Sequence, residues 1–271
     1  MSRLAARFET LRSQGRKALI PFLTAGDPEP SMTASLMHTM VEAGADVIEL
    51  GIPFSDPMAE GPVIQRACER ALRHGVGLAD VFGMVREFRK RDAATPVVLM
   101  GYLNPLEVMG YERFAQTAAE AGADGAIIVD LPPEEGEEYI GALRGADLDP
   151  VFLIAPTSPG ERIERVATSA SGFIYYVSLK GVTGAGHLDI DAVAARLDQI
   201  REHCTLPLVV GFGIRDADTA SRLSRLSDGV VVGSRLVQVV ADHEDRPGEI
   251  GPEIDRVLRE MRKAMDDAGN G

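Results

Sequence analysis

Eight short runs rich in Val, Ile and Leu punctuate this chain, and longer amphipathic stretches separate them. The runs are Ala18–Leu23, Val47–Gly51, Val97–Gly101, Gly125–Val129, Val151–Ile154, Phe173–Val177, Leu208–Gly211 and Gly229–Gly233. Between them, helical spacing of apolar residues marks Ser31–Ala43, Leu78–Lys90, Tyr111–Ala121, Pro133–Leu143, Glu161–Ser169, Asp191–His203 and Asp216–Leu226. A strand that is apolar at nearly every position is covered on both faces, so the alternation specifies a parallel sheet flanked by helices. Eight such units in one chain favour closure into a barrel over an open doubly wound sheet.

The chain's 271 residues would suit two average domains, yet a barrel of eight strand–helix units takes about 250 by itself. No linker or compositional break divides the sequence. The expectation is therefore one α/β domain over residues 1–271, a (β/α)8 TIM barrel with extra helices. Ile250–Ala268 reads as a closing helix and Ala268–Gly271 as a frayed end. The stretch Glu42-Ala43-Gly44-Ala45-Asp46 recurs as Glu120-Ala121-Gly122-Ala123-Asp124. Each copy ends a helix on glycine and enters a strand, which convergence on a common turn explains as well as internal repetition does.

Lys and Arg number 28 against 41 Asp and Glu, a net charge of −13 at pH 7. Nucleic acid and anionic membrane both demand clustered positive charge, so neither is expected as a partner. The N-terminal stretch is charged and has no apolar signal core, and no run approaches the length of a membrane span. The chain thus reads as soluble and cytoplasmic. Cys68 and Cys204 lie far apart without CxxC spacing. Arithmetic permits a pair, but the spacing suggests neither a metal site nor a disulfide framework. HExxH, GxSxG and GK[S/T] motifs are absent, which leaves zinc proteolysis, serine hydrolysis and P-loop chemistry without support.

In such a barrel, function collects in the loops that follow the strands. After the seventh run comes Gly211-Phe212-Gly213-Ile214, and after the eighth Gly233-Ser234-Arg235. These turns are neighbours in a barrel, at the place where the fold often builds a phosphate site. Glycine lets the main chain approach an oxyanion, and a helix starting at Ser234 aims unpaired N–H groups at it. Gly181 and Gly184 of the sixth loop reach the same place. Oriented dipoles need no net positive charge, so this site suits an acidic protein.

Glu49 interrupts the second run, Val47-Ile48-Glu49-Leu50-Gly51. By strand alternation it shares a face with Val47, and if Val47 points into the barrel so does Glu49. Burial raises a carboxyl group toward the range useful for proton transfer; a structural glutamate satisfied by a neighbouring hydroxyl is the alternative. The following segment, from Pro53 to Pro62, carries three prolines and a glycine and forbids a helix. It reads as an ordered or gated loop over the mouth, with Asp56 and Glu60 as further carboxylates or as solvated loop charges. The glycine-rich segment from Ser178 to Asp189 reads as a mobile lid. His187 within it is a candidate base, although solvation is the commoner fate of such a histidine.

Together these segments resemble the tryptophan synthase alpha chain family over essentially the whole chain. The resemblance rests on Pro21-Phe22-Leu23-Thr24-Ala25-Gly26-Asp27-Pro28, Glu49-Leu50-Gly51-Ile52-Pro53-Phe54-Ser55-Asp56-Pro57, and Tyr102 with Asn104. It extends to Gly181-Val182-Thr183-Gly184, Gly211-Phe212-Gly213-Ile214 and Gly233-Ser234. It implies a carbon–carbon lyase of tryptophan biosynthesis that cleaves indole-3-glycerol phosphate to indole and glyceraldehyde 3-phosphate, a retro-aldol reaction. By the family pattern Glu49 is the acid/base. The second carboxylate falls at Glu60, where the family usually has Asp, so the charge is kept and the reach is one methylene longer.

The resemblance also implies that Phe22, Met100, Tyr175 and Thr183 contact the substrate and that Gly184, Gly213, Gly233 and Ser234 hold its phosphate. No metal or cofactor is implied in this chain. Pyridoxal phosphate belongs to a partner β chain in an α2β2 heterotetramer, docked through an exposed loop with Pro53 and Asp56, and through Asn104. Two other readings stay open on the sequence. One is a different sugar-phosphate barrel enzyme, and the other a regulatory subunit that has lost catalysis.

Overall fold

A computed structural model describes residues 2–178, 189–211 and 213–269. Its strands are β1 (Ala18–Thr24), β2 (Ile48–Gly51), β3 (Val97–Gly101), β4 (Gly125–Ile128), β5 (Asp149–Ile154), β6 (Ile174–Val177), β7 (Leu208–Gly211) and β8 (Gly229–Val232). Each is parallel to the next, and β8 pairs back onto β1 to close the barrel. Helices α1 (Arg3–Ser13), α2 (Thr33–Glu42), α3 (Pro62–Arg73), α4 (Leu78–Arg89), α5 (Leu103–Met109) and α6 (Tyr111–Ala121) belong to the first half. The second half carries α7 (Glu137–Gly145), α8 (Gly160–Ser169), α9 (Ile190–Arg201), α10 (Ala217–Ser224), α11 (Ser234–Asp242) and α12 (Ile250–Gly269).

Strand alternation sorts the apolar residues into two cores. Phe22, Val47, Val98, Ile127, Tyr175 and Val209 fill the barrel interior, while Leu23, Ile48, Leu50 and Leu99 face the helical layer. Helix α1 closes the N-terminal end. Leu4, Phe8 and Leu11 lie on one face of it, as an i, i+4, i+7 spacing requires, and the Phe8 ring meets Phe173 at 5.7 Å.

The repeated pentapeptide has a structural use. Gly44 and Gly122 both take positive φ, 105° and 97°, as helix-ending glycines do. The aspartate two residues on then reaches back to the strand that began the unit. Asp46 accepts from the Leu19 N–H at 3.0 Å, and Asp124 from the Val97 N–H at 2.8 Å. Asp228 does the same for Leu208 at 2.9 Å.

All eight strands fall within two residues of their sequence-based bounds. Helix α7 begins at Glu137 and not at Pro133, because the prolines hold a turn in which the Glu135 N–H donates to the Pro132 carbonyl. Helix α12 continues through Gly269, one residue beyond its expected end. Helices α1, α3 and α5 add to the expected set, and α3 starts on Pro62, where the missing N–H costs nothing. Cys68 and Cys204 are free buried thiols, not a pair. Among the described residues no helix is long and apolar enough to cross a membrane, and no cluster of His, Cys, Asp and Glu could hold a metal ion.

Candidate active site

Val47 lies in the interior core, and two residues on Glu49 points the same way. It is 1% exposed, and its Oε2 has no hydrogen-bond partner among the described residues. Burial pushes its carboxyl up to about 8, and the nearby charge of Glu60 pushes in the same direction. Glu60 is half-buried at the end of the loop after β2, and burial raises it to about 7. Two carboxyl groups that repel one another's ionisation near neutrality can each hold or release a proton at working pH.

Aromatic and apolar side chains surround Glu49. Phe22 sits opposite it in the β1–β2 register, and Met100 sits opposite Gly51 on β3. Tyr175 on β6 is buried, and its pKa is raised by burial and then by the charges of Glu49 and Glu60. Its hydroxyl occupies the space that a side chain at Gly211 would fill, so β7 must end on glycine. The structure thus brings Phe22, Met100, Tyr175, Glu49 and Glu60 to one end of the barrel, the C-terminal mouth.

The last two turns lie beside this group, since β7 and β8 are paired. Gly213 is exposed with φ of 82°, a conformation that L residues rarely adopt. Gly233 caps α11, and Ser234 opens that helix on the exposed side. Arg235 turns toward Glu253 at 3.8 Å, so the polar character of the turn is set by main-chain groups and the Ser234 hydroxyl. Thr183 and Gly184, with Lys180, Gly181 and His187, lie outside the described residues.

The expected docking residues divide. Asp56 and Asn104 are exposed, but Pro53 is buried, and so is Pro57. The loop is exposed at Ser55, Asp56 and Met58 and tucked in at its prolines, which correct the expectation of an exposed Pro53–Met58 loop. Met58 and Val108 of α5, each 84% exposed, are the large apolar side chains left open to solvent among the described residues.

Three residues next to the site were not singled out for it by sequence reasoning. Arg70 of α3 forms a buried two-point ion pair with Asp27 in the loop after β1, at 2.6 and 2.8 Å. Tyr102, noted only as part of a family motif, stacks on Phe54 and accepts from the Ala59 N–H. Cys68 of α3 is a buried thiol whose pKa is raised by burial and further by the charge of Glu60.

Comparison with known proteins accords with this geometry. A family model described as Tryptophan synthase alpha chain matches residues 8–266. The chain belongs to the tryptophan synthase alpha chain family. The match takes in all eight strands, Glu49 and Glu60. A tryptophan synthase alpha chain of Thioalkalivibrio sulfidiphilus is 64% identical over 98% of this chain and 100% of its own length. Among solved structures, tryptophan synthase subunit alpha from Legionella pneumophila superposes with a TM-score of 0.93 at 46% identity, covering 98% of this chain and 99% of its own. A chain of Mycobacterium tuberculosis tryptophan synthase in its aminoacrylate-bound form gives 0.87 at 33% identity, covering 98% of this chain and 100% of its own.

Proposed function

We propose that this chain, a single barrel domain, cleaves indole-3-glycerol phosphate to indole and glyceraldehyde 3-phosphate as the alpha subunit of a cytoplasmic tryptophan synthase. Glu49 and Glu60 do the proton chemistry. The observation that carries the assignment is the unpartnered Glu49 carboxyl inside the barrel, among Phe22, Met100 and Tyr175 and beside the turns of β7 and β8. Breaking the bond between indole C3 and the glycerol carbon needs a proton at C3 and a base for the hydroxyl that becomes the aldehyde. A carboxyl group poised near neutrality serves both needs in turn. Glu60 accepts from the indole N–H as the ring gives up its aromaticity.

In this reading Gly213, Gly233 and Ser234, with Gly184, hold the phosphate through main-chain N–H groups and one hydroxyl. Phe22, Met100, Tyr175 and Thr183 enclose the indole and glycerol. This chain needs no cofactor; pyridoxal phosphate belongs to the beta chain, with which it forms an α2β2 assembly through Asp56, Asn104 and the loop around Pro53.

The experiment is indole release by the purified chain, alone and with a beta chain. Glu49→Gln should bind substrate and release no indole. Glu60→Asp should retain activity and Glu60→Ala should lose most of it. Release by Glu49→Gln at the parent rate removes Glu49 from the chemistry, and full activity of Glu60→Ala removes Glu60.

A further inference from the structure

The loop from Ile52 to Gly61 must carry Glu60 back over the mouth, although Ser55, Asp56, Met58 and Ala59 are all exposed. Beyond the Ile52 N–H, which donates to the Met100 carbonyl of β3 at 2.7 Å, its own hydrogen bonds are local. The Ser55 hydroxyl donates to Asp56 at 2.5 Å, the Glu60 N–H to the Pro57 carbonyl at 3.0 Å, and the Gln65 amide to the Glu60 carbonyl at 2.8 Å. Such contacts shape a loop without fixing it to the barrel.

Tyr102 supplies the fixing. It follows β3 directly and is 5% exposed. Its ring stacks on Phe54 at 5.1 Å with the planes 24° apart, which grips the loop near its start. Its hydroxyl accepts from the Ala59 N–H at 2.9 Å, which grips the loop at the residue before Glu60. Among the described residues this is the one side-chain hydrogen bond tying residues 55–61 to an element outside the loop and α3. Burial raises the Tyr102 phenol, and the charges of Glu60 and Asp130 raise it further, so the hydroxyl stays protonated and lies within electrostatic reach of the Glu60 carboxylate.

We propose that Tyr102 is a positioning residue for Glu60: its hydroxyl on the Ala59 amide and its ring on Phe54 set where the Glu60 carboxylate stands in the mouth. The inference rests on the assignment of Glu60 above. A carboxylate misplaced by about 1 Å costs up to two orders of magnitude in rate, while the bound ground state changes little. A tyrosine in the turn after β3 holds Glu60 at its correct depth despite the added methylene.

The test is a double-mutant cycle on the full chain assembled with a beta chain, reading steady-state indole release and thermal midpoint. Tyr102→Phe keeps the ring and removes the hydroxyl. Ala59 is an exposed residue whose N–H can turn to water, so the midpoint should stay within about 2 °C. We expect kcat to fall about 5- to 20-fold with KM within about twofold. In a Glu60→Gln background the same substitution should lower kcat less than about twofold, because the group it positions is already lost.

A drop of the same size in both backgrounds overturns the proposal, as does an unchanged kcat for Tyr102→Phe where Glu60→Gln is impaired. Those two results leave the role of Glu60 standing. An unimpaired Glu60→Gln overturns the role of Glu60 and the positioning together.

Discussion

Phe22 stands opposite Glu49 across the β1–β2 ladder, and its ring lies over Gly51 two residues farther along. A Cβ added at Gly51 would come within 2.6 Å of the Phe22 ring tip. Gly51→Ala should therefore displace the ring into the substrate pocket. We expect KM for indole-3-glycerol phosphate to rise about 5- to 50-fold and stability to fall by about 1–3 kcal/mol, the usual cost of overpacking. Phe22→Leu in the same chain should recover part of both, and a normal KM for Gly51→Ala would show that the ring does not shape the pocket.

Glu49 also links stability to pH. Its carboxyl is held at about 8 against an ordinary 4.5, chiefly by burial. The folded chain keeps this proton where the unfolded chain has lost it. The stability belonging to the neutral form is thus complete below about 4.5 and lost as pH rises through about 8. Glutamine imitates the neutral acid at every pH. Glu49→Gln should be more stable than the parent, and the gap should widen by about 2–3 kcal/mol between pH 6 and pH 9 in urea unfolding. Parallel stability curves would show that the carboxyl is not desolvated in solution.

Periodicity made the barrel legible, because a parallel strand covered on both faces has nowhere to put a polar residue. Glu49 stood out for the same reason. The prolines from Pro53 to Pro62 marked a loop, but not which of them turn inward: Pro53 is buried by tertiary contacts that local sequence does not carry. Arg70 was invisible among its neighbours. Arg66 and Arg73 on the same helix are exposed, and only the fold, by bringing Asp27 opposite, distinguishes Arg70 from them. The short charged helix α1 had a readable apolar stripe in Leu4, Phe8 and Leu11, yet its role as a plug depends on the barrel end it covers.

That buried pair yields a second stability prediction. Asp27 is fully buried, and the Arg70 side chain is 8% exposed. Burial raises the Asp27 pKa more than Arg70 lowers it, so Arg70→Met strands a carboxylate and pushes that pKa higher still. The cost should be about 3–5 kcal/mol near neutrality. It should shrink at pH 5, where Asp27 protonates more readily, because a raised folded-state pKa gives stability that is lost as pH rises. Asp27→Asn combined with Arg70→Met should cost less than Arg70→Met alone. A deficit equal at pH 5 and pH 8 would mean that packing, not a stranded charge, is what Arg70 supplies.

Asp124 and Asp130 offer an internal comparison, since each accepts a backbone N–H from the first residue of an element upstream of it. Asp124 is buried and takes the Val97 N–H at 2.8 Å, Arg3 at 2.5 Å and Arg89 at 2.8 Å. Asp130 is exposed and takes the Leu103 N–H at 2.8 Å. Asp124→Ala leaves a buried N–H and the largely buried Arg89 without their partner, and should cost about 3–5 kcal/mol. Asp130→Ala exposes an N–H that water can satisfy and should cost under about 1 kcal/mol. Asp124→Asn, which keeps an acceptor but not the charge, should fall between them. Denaturant midpoints at unchanged m-value would measure all three. If both alanine variants lost the same amount, the aspartate clamps would act through the turn they close and not through the buried groups they satisfy.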